Sequence, residues 1–185
     1  MTLSGRKLKR PELKRTMKVG SFGVVLVDMQ PYFLECINPD EMKSMIDAQV
    51  EVLETCRSED YPVVVLEYTH EHKDIESTIV ELGEIVERIP RFKLILKEDN
   101  DGYCDDLERT LDDWGILNLC FMGINAPSCV METAKSALDN GFNIITARQL
   151  FAAQTDRQFE FKGSLMWYRE HTTFFENYSG LVGLM

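Results

Sequence analysis

Residues 22–28 read Phe-Gly-Val-Val-Leu-Val-Asp: an unbroken apolar run of strand length that ends in an acid. A strand with one wet face alternates apolar and polar residues. An unbroken run marks a strand buried on both faces, as in a parallel sheet covered by helices. The chain repeats this theme. Pro62 precedes Val63–Leu66, Phe92–Leu96 runs into Lys97, Leu117–Met122 ends at Gly123, and Phe142–Thr146 gives a fifth run. Helices are predicted between these strands. Asn38 caps one, with Pro39 at its first position, Asp40 and Glu41 in its first turn, and Met42, Ile46, Val50 and Leu53 at helical spacing to about Cys56. Others are predicted over Ile75–Glu87, over Asp105–Trp114 before Gly115, and from about Pro127 to Asp139, stopped by Asn140-Gly141. Beyond Ala153 the pattern weakens to a helix over Arg157–Tyr168 and a short strand over Thr172–Phe175. Strand–helix alternation requires crossovers, and so predicts a three-layer α/β/α domain with a mostly parallel sheet of about six strands.

The length, 185 residues with 44% hydrophobic, suits one domain with a real core. Net charge is −11 and unevenly spread. Residues 1–18 hold seven basic residues against Glu12 alone, a net of +6, which leaves −17 for the other 167. Residues 1–18 are therefore expected to be a solvated basic arm, and 19–185 a single domain. The acidic domain argues against a nucleic-acid binder, which needs a positive face. No apolar run is long enough to cross a bilayer, so no membrane partner is expected. Five cysteines (36, 56, 104, 120 and 129), with no C-x-x-C pair and no secretory signal, read as a reduced, cytoplasmic protein.

In a sheet of this kind the working residues sit just past the carboxyl ends of the strands. Those positions hold Asp28, Thr69-His70, Lys97 and the loop Gly123–Cys129. Each residue alone has a plain structural use: Asp as a loop cap, Lys on an exposed edge, Cys as a small buried hydrophobe. Together on one rim they make a nucleophile device. Cys129 at a predicted helix start is placed to be a thiolate, Asp28 to take its proton and Lys97 to steady both charges. Tyr32, Phe33, Tyr103, Gln30 and Pro127 are candidates for the pocket wall. No phosphate-binding loop or dinucleotide fingerprint is present, and position 135 is Lys where a thiol phosphatase needs Arg.

The run Val25-Leu26-Val27-Asp28-Met29-Gln30-Pro31-Tyr32-Phe33 resembles the opening motif of the isochorismatase-like cysteine hydrolases. Lys97, trailed by Gly102-Tyr103, Asp106-Leu107 and Leu111, is similar to the family's second motif. Gly123-Ile124-Asn125-Ala126-Pro127-Ser128-Cys129-Val130, followed by Thr133, Ala134, Ala137, Leu138 and Gly141, resembles its third. The resemblance spans about residues 20–150. It implies an Asp28, Lys97, Cys129 triad that hydrolyses the C–N bond of a small amide or carbamoyl compound through a thioester. It also implies a cis peptide at Asn125–Ala126, with Ala126–Pro127 as a second possibility, and backbone oxyanion donors at Ala126 and Cys129. Family members tend to form dimers or tetramers, so a homo-oligomer is expected.

Departures narrow the expectation. Many members have Thr and an acid where this chain has Ala126 and Pro127, and Ser-Asp where it has Arg148-Gln149 after Ala147. Nicotinamidases of the family hold a divalent ion through Asp-x-His and a later His. Here the sequence is Tyr68-Thr69-His70-Glu71-His72, with Tyr at the carboxylate position. We therefore expect no metal and no cofactor, with His70 and His72 the nearest candidates. Ether hydrolysis of the isochorismate type is an alternative, opposed by Cys129, since relatives with that chemistry typically lack it. A silent relative that binds a small molecule or protein is another, and a module using the basic arm on an acidic partner a third.

Overall fold

The computed structural model describes residues 22–70 and 74–185. The expected basic arm and His72 lie outside them. The described chain runs β1 (Phe22–Val27), α1 (Pro31–Leu34), α2 (Pro39–Glu59), β2 (Val63–Tyr68), α3 (Val80–Val86), β3 (Phe92–Lys97), α4 (Asp105–Asp113), β4 (Asn118–Gly123), a wide turn (Ala126–Val130), α5 (Met131–Asp139), β5 (Asn143–Ala147), α6 (Gln158–His171), β6 (Thr173–Phe175) and α7 (Tyr178–Val182). The six strands lie in the order β3-β2-β1-β4-β5-β6, and every pairing is parallel.

The unbroken apolar runs became the centre of the sheet. All six residues of β1 and all six of β4 are buried, and the two pair along their length, from Phe22–Asn118 to Val27–Gly123. Side chains alternate between two cores. Val24 and Leu26 face a layer that includes Met45, Val52, Leu53, Leu82, Val86 and Leu181. Val25 and Val27 face Leu107, Leu111, Ala134, Phe161 and Tyr168. Winding runs outward from β1 to β3, then returns across the sheet to β4. The crevice at that reversal opens at the carboxyl ends of β1 and β4.

The predicted helix over Ile75–Glu87 is shorter than its periodicity suggested. Backbone groups at 76–79 are used elsewhere. The Gln30 amide donates to Glu76 O at 3.0 Å, Thr78 N donates to Glu67 Oε1 at 2.6 Å, and Ile79 N donates to Met29 O at 2.8 Å. Only Val80–Val86 remains helical. Asn38 caps α2 as its sequence demands, accepting from the N–H groups of Asp40 and Glu41.

Gly123 sits where β4 leaves the sheet, with φ of +128°. A Cβ there would stand 2.0 Å from Val27 O. Close approach at this point lets Ile124 N donate to Val27 O at 3.0 Å, joining the ends of β1 and β4. Gly123→Ala is expected to cost at least about 3 kcal/mol, since strain and a backbone collision add. That lowers the melting temperature by roughly 6–12 °C for a domain of this size. An unchanged melting temperature would contradict the reading.

Candidate active site

Asp28 follows β1 with φ of +50°, a left-handed conformation that few non-glycine residues adopt. Its N–H donates to Leu66 O at 2.9 Å, which ties it to β2. Lys97 ends β3, two strands away. Its side chain spans β2, and Nζ donates to Asp28 Oδ2 at 2.8 Å. The same ammonium donates to Asp99 O at 3.0 Å and lies 5.3 Å from the centre of the Tyr68 ring. Only 5% of the Lys97 side chain and 1% of the Asp28 side chain are exposed. Tyr68, at the position expected for a metal-binding carboxylate, thus serves as a wall for the lysine.

The second carboxylate oxygen, Asp28 Oδ1, is buried and has no hydrogen-bond partner. Cys129 interacts with this carboxylate. Its sulfur also donates to Asn100 Oδ1 at 3.6 Å. The fold therefore brings Asp28, Lys97 and Cys129 together, each from a different strand end, as the rim positions suggested.

Their protonation differs from the sequence expectation. Burial pushes the Asp28 carboxyl above its ordinary value, and Lys97 opposes this by charge and hydrogen bond. The Cys129 thiol is pushed up to about 11, first by burial and then by the Asp28 charge, against the opposing Lys97. This shift favours the thiol over the thiolate, the opposite direction to the helix-start expectation. Regular helix begins only at Met131, after the wide turn Ala126–Val130. Pro127 has no N–H, and the Asn125 carbonyl accepts from both Ser128 N and Val130 N. The helix-terminal amides are therefore not aimed at the sulfur in the regular way.

Two further expectations are corrected in this loop. The cis peptide is Ile124–Asn125, not Asn125–Ala126 or Ala126–Pro127. The Asn125 side chain then holds residue 154, accepting from Gln154 N at 3.0 Å. Ala126 N–H donates to Ala152 O at 2.9 Å, so it is not available to an oxyanion.

The proposed wall residues divide into two sets. Tyr32, Phe33 and Tyr68 form an edge-to-face chain with centroids 5.1 and 5.8 Å apart, leading from the exposed Tyr32 to the lysine. Gln30 is instead a clamp. Its amide donates to the carbonyls of Tyr68 and Glu76 and accepts from Tyr68 N. Tyr103 meets Phe142, the residue before β5, edge to face at 6.2 Å and is partly buried against the core. Pro127 lines a depression with Met131, Lys135 and Trp167 against α6. His70 is exposed, and no group of three metal-ligating side chains occurs among the described residues. Of the cysteines read as packing, Cys56 and Cys120 are buried, while Cys36 and Cys104 are exposed.

Sequence reasoning did not find Asn100, and it met Gly102 and Thr133 only as parts of the resembling motifs, without a role. Asp99-Asn100-Asp101-Gly102 carries only a turn signal. In the structure Gly102 N donates to Thr133 Oγ1 at 2.9 Å, and Thr133 Oγ1 donates to Cys129 O at 2.7 Å. A Cβ on Gly102 would stand 2.9 Å from Lys97 Cδ. This turn fixes the lysine and the nucleophile loop relative to each other.

A parallel sheet of this order, with an acid, a lysine and a cysteine gathered at its carboxyl edge, defines a three-layer α/β domain with a candidate site at its switch point. The isochorismatase domain model matches residues 23–163, and the chain belongs to that family. Comparison with curated protein sequences finds no match. Solved structures give the fold relatives. The nicotinamidase SaPncA from Staphylococcus aureus is 18% identical with a TM-score of 0.74, covering 85% of this chain and 99% of its own. N-carbamoylsarcosine amidase from Thermoplasma acidophilum is 22% identical with a TM-score of 0.68, covering 84% and 94%. The MAR1 ribonuclease from Caenorhabditis elegans is 19% identical with a TM-score of 0.74, covering 91% and 82%. At these identities the likeness is one of fold.

The charges around the sulfur give a prediction with opposite signs. At pH 9 alkylation runs through the small free thiolate fraction and needs no base. Asp28→Asn removes a negative charge that raises the Cys129 pKa, so iodoacetamide alkylation of Cys129 should quicken, by roughly tenfold per pKa unit. Lys97→Met removes a charge that lowers the pKa, so alkylation should slow. Peptide mass spectrometry reads both rates. Rates that move in the same direction would contradict the arrangement.

Proposed function

We propose that this chain is a cysteine hydrolase that cleaves the C–N bond of a small amide or carbamoyl compound. The observation that carries the reading is the divided carboxylate of Asp28. One oxygen accepts from Lys97, the other is buried and not taken by the lysine, and the carboxylate as a whole interacts with the Cys129 thiol.

The mechanism follows from that division. Asp28 Oδ1 takes the thiol proton as sulfur attacks the amide carbonyl, so free thiolate never accumulates. This suits a thiol with a pKa near 11. Negative charge moves from Asp28 to sulfur to the substrate oxygen, and the Cys129 backbone N–H is the donor we assign to that oxygen. Protonated Asp28 passes its proton to the leaving nitrogen, the C–N bond breaks, and an amine or ammonia departs. A thioester remains. Water attacks it, Asp28 takes the water proton, and that proton returns to sulfur as the C–S bond breaks and the acid is released. Lys97 stays charged throughout and keeps the carboxylate ionised between steps.

The aromatic chain Tyr32–Phe33–Tyr68 suits a substrate with a flat or apolar body. RNA is not part of this reading, because the 167 residues after the arm carry −17. The chemistry needs no metal, and we assign none.

Ammonia release across a panel of primary amides and carbamoyl amino acids tests the function. At least one panel member should be turned over by the native chain. Cys129→Ala should abolish the reaction, and Asp28→Asn should lower kcat by roughly 10²–10⁴-fold. Activity retained in Cys129→Ala would overturn the mechanism.

A further inference from the structure

Among the described residues, one outer edge of the sheet has no strand paired to it. β3 is the edge strand, and its alternate residues Phe92, Leu94 and Leu96 are 36%, 44% and 60% exposed. These three lie on the face that carries α3. The helix is too short to cover them, leaving a notch of about 190 Å³ lined by Val65, Val86, Phe92 and Leu94. Edge strands normally carry charges, bulges or cover that prevent pairing. Here six residues, Phe-Lys-Leu-Ile-Leu-Lys, present an apolar face.

We propose that a second copy of this chain covers the edge, its β3 pairing antiparallel to the first about a two-fold axis at Leu94. Three observations fix that register. The first is backbone direction. Val63 N donates to Arg91 O and Thr69 N to Lys97 O, so the odd-numbered residues of β3 use their polar groups on β2. The even-numbered residues, Phe92, Leu94 and Leu96, therefore point theirs outward. With Leu94 on the axis, Phe92 meets the second copy's Leu96, Leu94 meets itself, and each pair exchanges two hydrogen bonds. The second is side-chain matching: the three exposed apolar residues face each other. A shift of one pair either way sets Leu96 opposite Pro90 or Phe92 opposite Glu98, so only this register matches all three apolar residues.

The third observation is charge. The segment before β3 carries Arg88 and Arg91, and the segment after it carries Glu98 and Asp99. Antiparallel pairing lays the basic end of each copy beside the acidic end of the other, whereas parallel pairing would set like against like. Arg91 then stands opposite Lys97, whose charge is already matched by Asp28. The contact is self-complementary, as a two-fold interface must be, and it joins two six-stranded sheets into one of twelve strands.

Light scattering coupled to size exclusion, on the full chain at about 50 μM, tests the proposal. The native chain should run at twice its monomer mass. Leu94→Glu should run as a monomer with an unchanged far-ultraviolet circular dichroism spectrum, because it places two carboxylates on the axis at an exposed position. Arg91→Glu should weaken the dimer, and Arg91→Glu with Glu98→Arg should restore it. Leu94→Cys should be joined to its own copy by a short thiol-bridging reagent, with the 94–94 linkage found by mass spectrometry. A monomeric native chain, or a dimer indifferent to Leu94→Glu, would overturn the proposal. So would association of Leu94→Glu through another face. None of these outcomes bears on ammonia release, so the interface and the proposed reaction fail separately.

Discussion

The buried ion pair between Asp28 and Lys97 is the constraint around which the site is arranged. Taking two charges out of water costs several kcal/mol per ion, and good geometry with further hydrogen bonds must offset it. The fold provides these. The carboxylate accepts from Nζ at 2.8 Å, the ammonium also reaches the Asp99 carbonyl, and the Tyr68 ring lies beside it. The pair spans the ends of three adjacent strands, so the sheet must hold its register for the charges to meet. One carboxylate oxygen is nonetheless left without a partner. The proposed mechanism gives that oxygen a use, as the base for the Cys129 thiol.

Much of this was legible in the sequence because strand burial and strand ends are local signals. Phe22–Val27 and Leu117–Met122 read as doubly buried strands, and they form the two central strands, with β4 shifted by one residue. Asp28, Lys97 and Cys129 were found because each stands at a strand end, and topology gathers strand ends. What depends on distant backbone partners was not legible. Gln30 looked like part of the pocket wall, but its amide is bound to carbonyls 38 and 46 residues away. Ala126 looked like an oxyanion donor but bonds Ala152. The helix predicted from Ile75 lost its first turn to the same kind of competition.

Protonation state lies deepest beyond sequence reading. A cysteine near a helix start suggests a thiolate. Burial of the site, and after it the Asp28 charge, instead push the Cys129 thiol up to about 11. The distinction changes the chemistry. A preformed thiolate attacks without help, whereas a buried thiol beside a carboxylate needs its base at the moment of attack. In the proposed mechanism Asp28 is the proton acceptor that its strand-end position suggested, and Lys97 is the group that keeps that acceptor ionised against its own burial.

The resting protonation of this pair is the most direct test of that account. Difference infrared spectra at neutral pH, native against Cys129→Ser and native against Asp28→Asn, report both groups without a substrate. The account predicts an S–H stretch that is lost with Cys129 and an ionised carboxylate band that is lost with Asp28. A native protein with no Cys129 S–H stretch, or with a protonated Asp28 carboxyl, would contradict it.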